Sequence, residues 1–301
     1  MTDLAKNAAA ALDAAKGVAG QAALDRLVDL LDLEQIEENI FRGVSPAHSP
    51  VRVFGGQVAG QALVAAGRTV PKERKVHSLH AYFIRPGDPS IPIVYEVDRI
   101  RDGRSFTTRR VVAVQHGKAI FALSASFQKP EPGIEHADEM PEVPAPETLP
   151  THSERMRDFA GLAGARSHPR PIDLRYVNDP PWVTRQTGRP AERNQVWMRA
   201  DGRLPDEELL HVCVLTYASD MTLLDSPLAR HGVYWELDEV VGASLDHALW
   251  FHRPFRADEW FLYDTASPSA SGARGLATGR FFTADGVLIA TVVQEGLLRV
   301  P

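Results

Sequence analysis

The sequence predicts an α+β protein in two similar halves, each a curved antiparallel sheet wrapped around one central helix. Three observations carry this. One segment occurs twice: VHSLHAYFIRPGDPSIPIVYE at 76–96 matches SLDHALWFHRPFRADEWFLY at 244–263, with Arg85-Pro86 and Arg253-Pro254 as register marks. A second pair, HGKAIFALSA at 116–125 and DGVLIATVVQ at 285–294, repeats at an offset only one residue different. Two long copies indicate a duplicated domain with packed halves rather than a solenoid. Third, each copy runs from a helix into hairpin-linked strands, and short turns join antiparallel neighbours rather than the parallel strands of a βαβ sheet.

The elements follow in order. Residues 3–32 read as helix, from Ala-rich propensity and the apolar pattern Leu24, Leu27, Val28, Leu30, Leu31. Residues 35–43 read as a strand. Phe54-Gly55-Gly56 is a turn that opens a helix over 57–70, and Pro71 ends it. Strands are predicted at 76–85, 91–100, 105–115 and 119–128, separated by Pro86-Gly87-Asp88, Asp102-Gly103 and His116-Gly117. Residues 129–150 hold six prolines and six acids with no apolar period, and read as an extended linker. Strands follow at 172–178 and 195–200, then a helix through 207–224, then strands at 247–253, 258–267, 273–283 and 287–299. The second helix is apolar on nearly every face, as a helix enclosed by sheet should be. The organisation expected is an extension over 1–23, a first unit over 24–128, the linker over 129–150 and a second unit over 151–301.

Composition narrows the function. A hydrophobic fraction of 44% and a charged fraction of 24% are ordinary for a globular protein. A net charge of -6 without a Lys/Arg stripe argues against a nucleic-acid partner. The one cysteine, Cys213, excludes an internal disulfide or a Cys-rich zinc site. No apolar run approaches the roughly 18–20 residues that span a bilayer. No signal or transit pattern precedes the fold, so a cytoplasmic location is expected.

The chemistry has few candidates. Asp220 is one acid in the C-terminal half of an otherwise apolar helix. It either reaches solvent, pairs with an arginine or carries chemistry, because burying an unpaired carboxylate is expensive. The first copy's helix carries Gln57 and Gln61 instead of an acid. Gln294 ends the apolar run LIATVV and reads either as a structural hydrogen-bonder or as a site residue. Ser244 reads alone as a turn or cap. Cys213 lies about two turns from Asp220, roughly 10 Å along the axis, and reads as core. His77, His80, His247 and His252 alternate with aromatics along strands, without metal-ligand spacing, and read as packing or edge residues. No G-x-S-x-G supports a nucleophile elbow. The glycines before the first helix open an N-terminus able to bind an anion or an oxyanion.

The strings VFGGQVAGQAL (53–63), HSLHAYFIRPGDPSIPI (77–93), RDGRSFTTRRVVAVQHGKAIFALSASFQ (101–128), YASDMTLL (217–224), LDHALWFHRPFRADEWFLY (245–263) and GVLIATVVQEGLLR (286–299) together resemble the bacterial acyl-CoA thioesterase II family. The resemblance covers about 24–300. It implies a double-hotdog fold, two helix-in-sheet units joined edge to edge, and hydrolysis of acyl-CoA to free acid and CoA. The family's catalytic aspartate falls on Asp220 in YASD and its glutamine on Gln294 in VQEG. Its hydroxyl residue, usually threonine before a D-H pair, falls on Ser244 in SLDH. Serine keeps the hydroxyl but lacks the methyl that restricts the rotamer.

On that basis Asp220 is expected to act as general base on a water that Ser244 and Gln294 orient. No metal or tightly held cofactor is implied. CoA phosphates call for surface cations, and Arg99, Arg101, Arg104, Arg109, Arg110 and Arg274 are the candidates. A homodimer or homotetramer is expected. Three rivals stay open: a hydratase or dehydratase of the same fold, a non-catalytic acyl-CoA binding protein, and a polyketide-type or aryl thioesterase.

Overall fold

The computed structural model describes residues 20–46, 52–156, 170–235 and 237–301. The first half begins with a helix over 20–31, α1, whose Leu24, Leu27 and Leu31 are buried as the apolar pattern predicted. The earlier part of the predicted 3–32 helix lies outside the described residues. The predicted strand at 35–43 is instead a hairpin of Glu34–Glu37 (β1) and Ile40–Gly43 (β2). Glu38 and Asn39 supply the two-residue turn that splits it.

Gly55–Arg68 (α2) then precedes Lys75–Phe83 (β3), Ile93–Asp102 (β4), Phe106–Gln115 (β5) and Lys118–Gln128 (β6). The second half opens with a short helix at His152–Met156 (α3), then Ile172–Tyr176 (β7), Pro181–Thr187 (α4) and Arg193–Ala200 (β8). Glu208–Ser219 (α5) and Asp225–Ala229 (α6) follow, then Val241–Ser244 (β9), Asp246–Phe251 (β10), Phe261–Ser271 (β11), Arg274–Thr283 (β12) and Leu288–Arg299 (β13). The sequence does not predict α3, α4, α6 or β9. Residues 207–224 form a shorter helix than predicted, and the reason bears on the site.

All the strands among the described residues join one 13-stranded sheet in the order β1-β2-β4-β5-β6-β3-β10-β13-β12-β11-β8-β7, with β9 on β13. Every pairing is antiparallel. Outward from the central β3–β10 pair, β3-β6-β5-β4-β2-β1 on one side mirrors β10-β13-β12-β11-β8-β7 on the other. The register marks do the same work in each half. Arg85 donates to the carbonyl of Ala119 at 2.7 Å, and Arg253 donates to that of Leu288 at 3.1 Å.

The two long helices pack on each other, and α2 also lies against β4, β5 and β6. They run antiparallel: Gly56 meets Tyr217, Gly60 meets Cys213 and Gly67 meets Leu209. Small residues make this approach possible. A Cβ on Gly56 would lie 2.4 Å from the carbonyl oxygen of Tyr217, closer than any real contact. The positive N-terminal end of α2 therefore faces the C-terminal end of α5. The segment 129–150 does not hang free. Met140, Val143 and Leu149 cover Trp197, Leu262 and Phe282, and the Trp197 indole donates to the carbonyl of Pro144 at 2.9 Å.

Candidate active site

Helix α5 stops at Ser219, leaving Asp220 as its C-cap rather than inside the predicted helix. The sequence of the last turns accounts for this. Thr216 and Ser219 both turn their hydroxyls back onto carbonyls of the preceding turn, Val212 at 2.9 Å and Thr216 at 2.8 Å. Such back-bonding bends and weakens a helix, and Asp competes for backbone partners of its own. The cap position delivers the carboxylate to the N-terminus of α2, where Gly56 N–H donates to Asp220 Oδ2 at 2.8 Å. The anion at that helix N-terminus is thus the protein's own carboxylate.

Gln294 arrives from β13. It lies where β10, paired to Ala290–Val293, gives way to β9, paired to Gly296–Arg299. Asp246 pins this junction by accepting Glu295 N–H at 2.6 Å. The Gln294 amide nitrogen donates to Asp220 Oδ1 at 3.1 Å and to Ser244 Oγ at 2.8 Å. Ser244 Oγ donates to Asp220 Oδ1 at 3.4 Å. Three residues from a helix end, a short strand and a long strand thus share one hydrogen-bonded cluster. The sequence singled out all three, and the structure brings all three together. Ser244 is the last residue of β9 rather than a turn.

A fourth residue joins them. His247, on β10, is 1% exposed and sits with Nδ1 against Gln294 Oε1 and Nε2 2.8 Å from Ser219 Oγ. The sequence reading gave it a packing or edge role, and alternation with aromatics hid its inward polar contacts. The signal available was position: SLDH places Ser244, Asp246 and His247 within one strand crossover. The other three histidines do stay at packing or edge positions. His77 meets Ser126, His80 meets the edge of Trp250, and His252 meets Thr291.

Burial dominates the electrostatics. It pushes the Asp220 carboxyl above the ordinary carboxylate range, opposed by His247 and by the donors Gln294, Gly56 and Ser244. Burial also holds His247 below the ordinary imidazole value against the pull of Asp220. Burial thus favours the neutral ring at neutral pH. Cys213 is buried core, its thiol pushed up by burial.

Asp220 and Ser244 face a cavity of about 600 Å³ between the two halves. Val58, Phe83 and Phe121 line it from the first half, and Met221, Leu224 and Trp235 from the second. The cations on its wall are Arg52 and Arg85. None of the six arginines proposed from sequence lines it. Arg109 is 1% exposed and fully engaged in the first half, while Arg99, Arg110 and Arg274 pair with Glu38, Asp98 and Glu295. Among the described residues no group of three or more His, Cys, Asp or Glu could hold a metal ion. No helix among them is long and apolar enough to cross a membrane.

Known proteins resemble the chain along most of its length. The family described as acyl-CoA thioesterase matches residues 166–297, and the acyl-CoA thioesterase N-terminal domain matches 44–128. Acyl-coenzyme A thioesterase 8 of Mus musculus is 42% identical over 91% of this chain and 88% of its own. The crystal structure of an acyl-CoA thioesterase II TesB2 from Mycobacterium marinum is 46% identical, covers 92% of this chain and 98% of that one, and superposes with a TM-score of 0.75. A hot dog fold protein of unknown function from Alicyclobacillus acidocaldarius is 20% identical over 92% of this chain and 98% of its own, with a TM-score of 0.76. That likeness carries the fold alone, which is α+β and of the hotdog type.

Proposed function

The chain belongs to the acyl-CoA thioesterase II family and is a thioesterase, and from that premise we propose that it hydrolyses acyl-CoA with a water activated by Asp220, Ser244 and Gln294. The observation that carries the reading is the shared cluster at the cavity wall. Asp220 has the chemistry of a general base, and its raised pKa brings it closer to that of the proton it must take. Ser244 and Gln294 orient the water, supplying proximity and alignment. Water oxygen bonds to the thioester carbonyl carbon as its proton passes to Asp220. The tetrahedral intermediate then collapses, the C–S bond breaks, and the CoA thiolate leaves and takes up the proton.

One observation weighs against both a covalent acyl-serine and a hydratase. His247 spends both ring nitrogens on Gln294 and Ser219, so among the described residues no imidazole bonds to Ser244. The same turn away from the cavity disfavours a hydratase, which needs its histidine at the substrate. Arg52 and Arg85 are positioned to meet the CoA phosphates, with the acyl chain among the aromatic residues. In this reading 24–128 and 151–301 are two hotdog units, each with one long helix, α2 or α5, at its centre. Residues 129–150 strap them, 1–23 are an extension, and the second unit holds the chemistry.

The test is release of free CoA from a medium-to-long-chain acyl-CoA, comparing wild type with Asp220→Asn. A loss of about 10²–10⁴ in kcat with the fold retained is expected. Equal release from both removes Asp220 as the base. Acyl-CoA binding without release in the wild type favours a binding protein.

A further inference from the structure

We propose that His247 is a positioning residue, whose Nδ1–H fixes the Gln294 amide with its NH2 group toward Asp220 and Ser244. The inference rests on the reading of Asp220, Ser244 and Gln294 as the water-activating set. A glutamine amide fits its space equally well in either flip, because its two ends are nearly the same size. Here the two flips differ chemically. A carboxylate only accepts, so the NH2 end must face Asp220 Oδ1, 3.1 Å away. The reversed amide would set its carbonyl oxygen against that carboxylate and take the donor from Ser244 Oγ.

His247 Nδ1 is the group at the other end of the amide, against Oε1. It selects the productive flip only if Nδ1 carries the proton. The opposite side of the ring is compatible with that condition. Nε2 lies 2.8 Å from Ser219 Oγ, and Ser219 Oγ lies at the same distance from the carbonyl of Thr216. The single hydroxyl proton serves one of the two. Gln294 Oε1 only accepts, so the bond to it needs the ring proton on Nδ1, and in a neutral ring Nε2 then accepts and takes the Ser219 hydroxyl proton from the Thr216 carbonyl. Ser219 is itself held by α5 and immediately precedes Asp220, and Tyr263 donates to its carbonyl at 2.8 Å. The contacts form a closed loop: Ser219 meets His247, His247 meets Gln294, and Gln294 meets Asp220 and Ser244. Both Gln294 (0% exposed) and His247 (1% exposed) lie beneath the cavity wall, so water does not compete for these bonds.

The experiment separates positioning from packing with two variants. His247→Asn keeps an N–H where Nδ1 was, because both side chains branch at Cγ. His247→Gln reaches toward Ser219 and loses the Nδ1 donor. The expected result is a kcat loss on the order of 10- to 100-fold in H247Q with little change in KM, and recovery of most of it in H247N. The acid limb of the kcat/KM profile should move to higher pH in H247Q, as a carbonyl replaces a donor beside Asp220, and move less in H247N, which loses only the pull of the ring on Asp220. Tyr217 and Tyr263, which also face Asp220, have pKa values raised by burial and remain neutral across that limb.

Wild-type kcat in H247Q overturns the proposal, as does equal impairment of both variants with an unmoved limb. The ¹⁵N shifts of the His247 ring in wild-type protein give a test independent of any variant's folding. A neutral ring protonated on Nδ1 is expected, and one protonated on Nε2 overturns the proposal. Asp220→Asn in the same assay distinguishes the two levels. Full activity there sinks the water-activation reading and the inference with it. A dead Asp220→Asn beside a fully active H247Q sinks the inference alone.

Discussion

In the first half, α2 is capped by Thr69, and the buried Arg109 of β5 donates to its hydroxyl at 2.9 Å and its carbonyl at 3.1 Å. In the second half, α5 is capped by Asp220, and the buried Gln294 of β13 donates to its carboxylate. The strand partners show that these are matching places. Arg109 pairs with Ala125 across β5–β6, and Ala277 pairs with Gln294 across β12–β13. Each half puts one large polar side chain and one alanine beneath its helix cap, but on opposite strands. Arg109 spends its remaining donors on the carbonyls of Arg101 and Thr108 and on Asp102. It is a saturated bolt with nothing left for a substrate. The second-half cluster instead presents a carboxylate and a hydroxyl to a cavity. The same scaffold position can be closed by a saturated side chain or left open to a cavity, and the side chain under the cap decides which.

The largest expected difference between the two places is in activity. Arg109→Met should leave kcat per folded molecule within about twofold of wild type, whereas a change at Asp220 costs orders of magnitude. Stability reverses the ranking. Arg109→Met strands the Thr69 and Arg101 acceptors and the Asp102 carboxylate, and should cost about 2–4 kcal/mol in urea unfolding. A catalytic defect in Arg109→Met that exceeds its loss of folded protein would break the comparison.

Acid titration sharpens it further, because the two halves respond in opposite directions. Asp220 has a folded pKa raised by burial, so its stability contribution is full below the unfolded carboxylate pKa and is lost as pH rises through the folded value. Asp102 has a folded pKa lowered, chiefly by the hydrogen bond from Arg109. Its contribution is present above the unfolded pKa and is lost as pH falls through the folded one. Asp220→Asn should therefore raise stability at neutral pH by about 0.5–2 kcal/mol while abolishing turnover. Asp102→Asn should lower it at neutral pH and flatten the loss in acid. Urea midpoints across the pH range check both signs. A destabilised Asp220→Asn would mean that its four partners more than offset desolvation.

Much of this contrast was legible in the sequence, but unevenly. The repeat predicted matching strand orders, and the hairpin signals placed β3 to β6 and β10 to β13 within a few residues, because turns and apolar runs are local features. Asp220, Ser244 and Gln294 stood out because polar residues are conspicuous in apolar segments and because the strings resemble a known family. His247 did not, since its partners come from α5 and β13 and only tertiary structure joins them. The sequence makes Arg109 one of six candidate cations for CoA and does not show its burial, which depends on Ala125 across the sheet. Gln57 and Gln61 were set against Asp220 as its first-copy counterparts. They bond instead to the carbonyls of Val44 and Leu30, and the true counterpart, Thr69, lies at the cap.

The smallest expected effect comes from the register marks. Arg85 and Arg253 make the same bond to matching carbonyls, so alanine at either should cost a similar amount of stability, about 0.5–1.5 kcal/mol. Their surroundings differ. Arg85 lies on the cavity wall, whereas Arg253 reaches the carbonyl of His136 in the strap. If Arg85 meets a CoA phosphate, Arg85→Ala should raise KM several-fold, with a steeper dependence on salt in the wild type than in the variant, and kcat unchanged. Arg253→Ala should leave KM where it is. Equal KM values in the two variants would return Arg85 to the purely structural role of its counterpart, and would leave Arg52 as the remaining cation on the cavity wall to meet the phosphates.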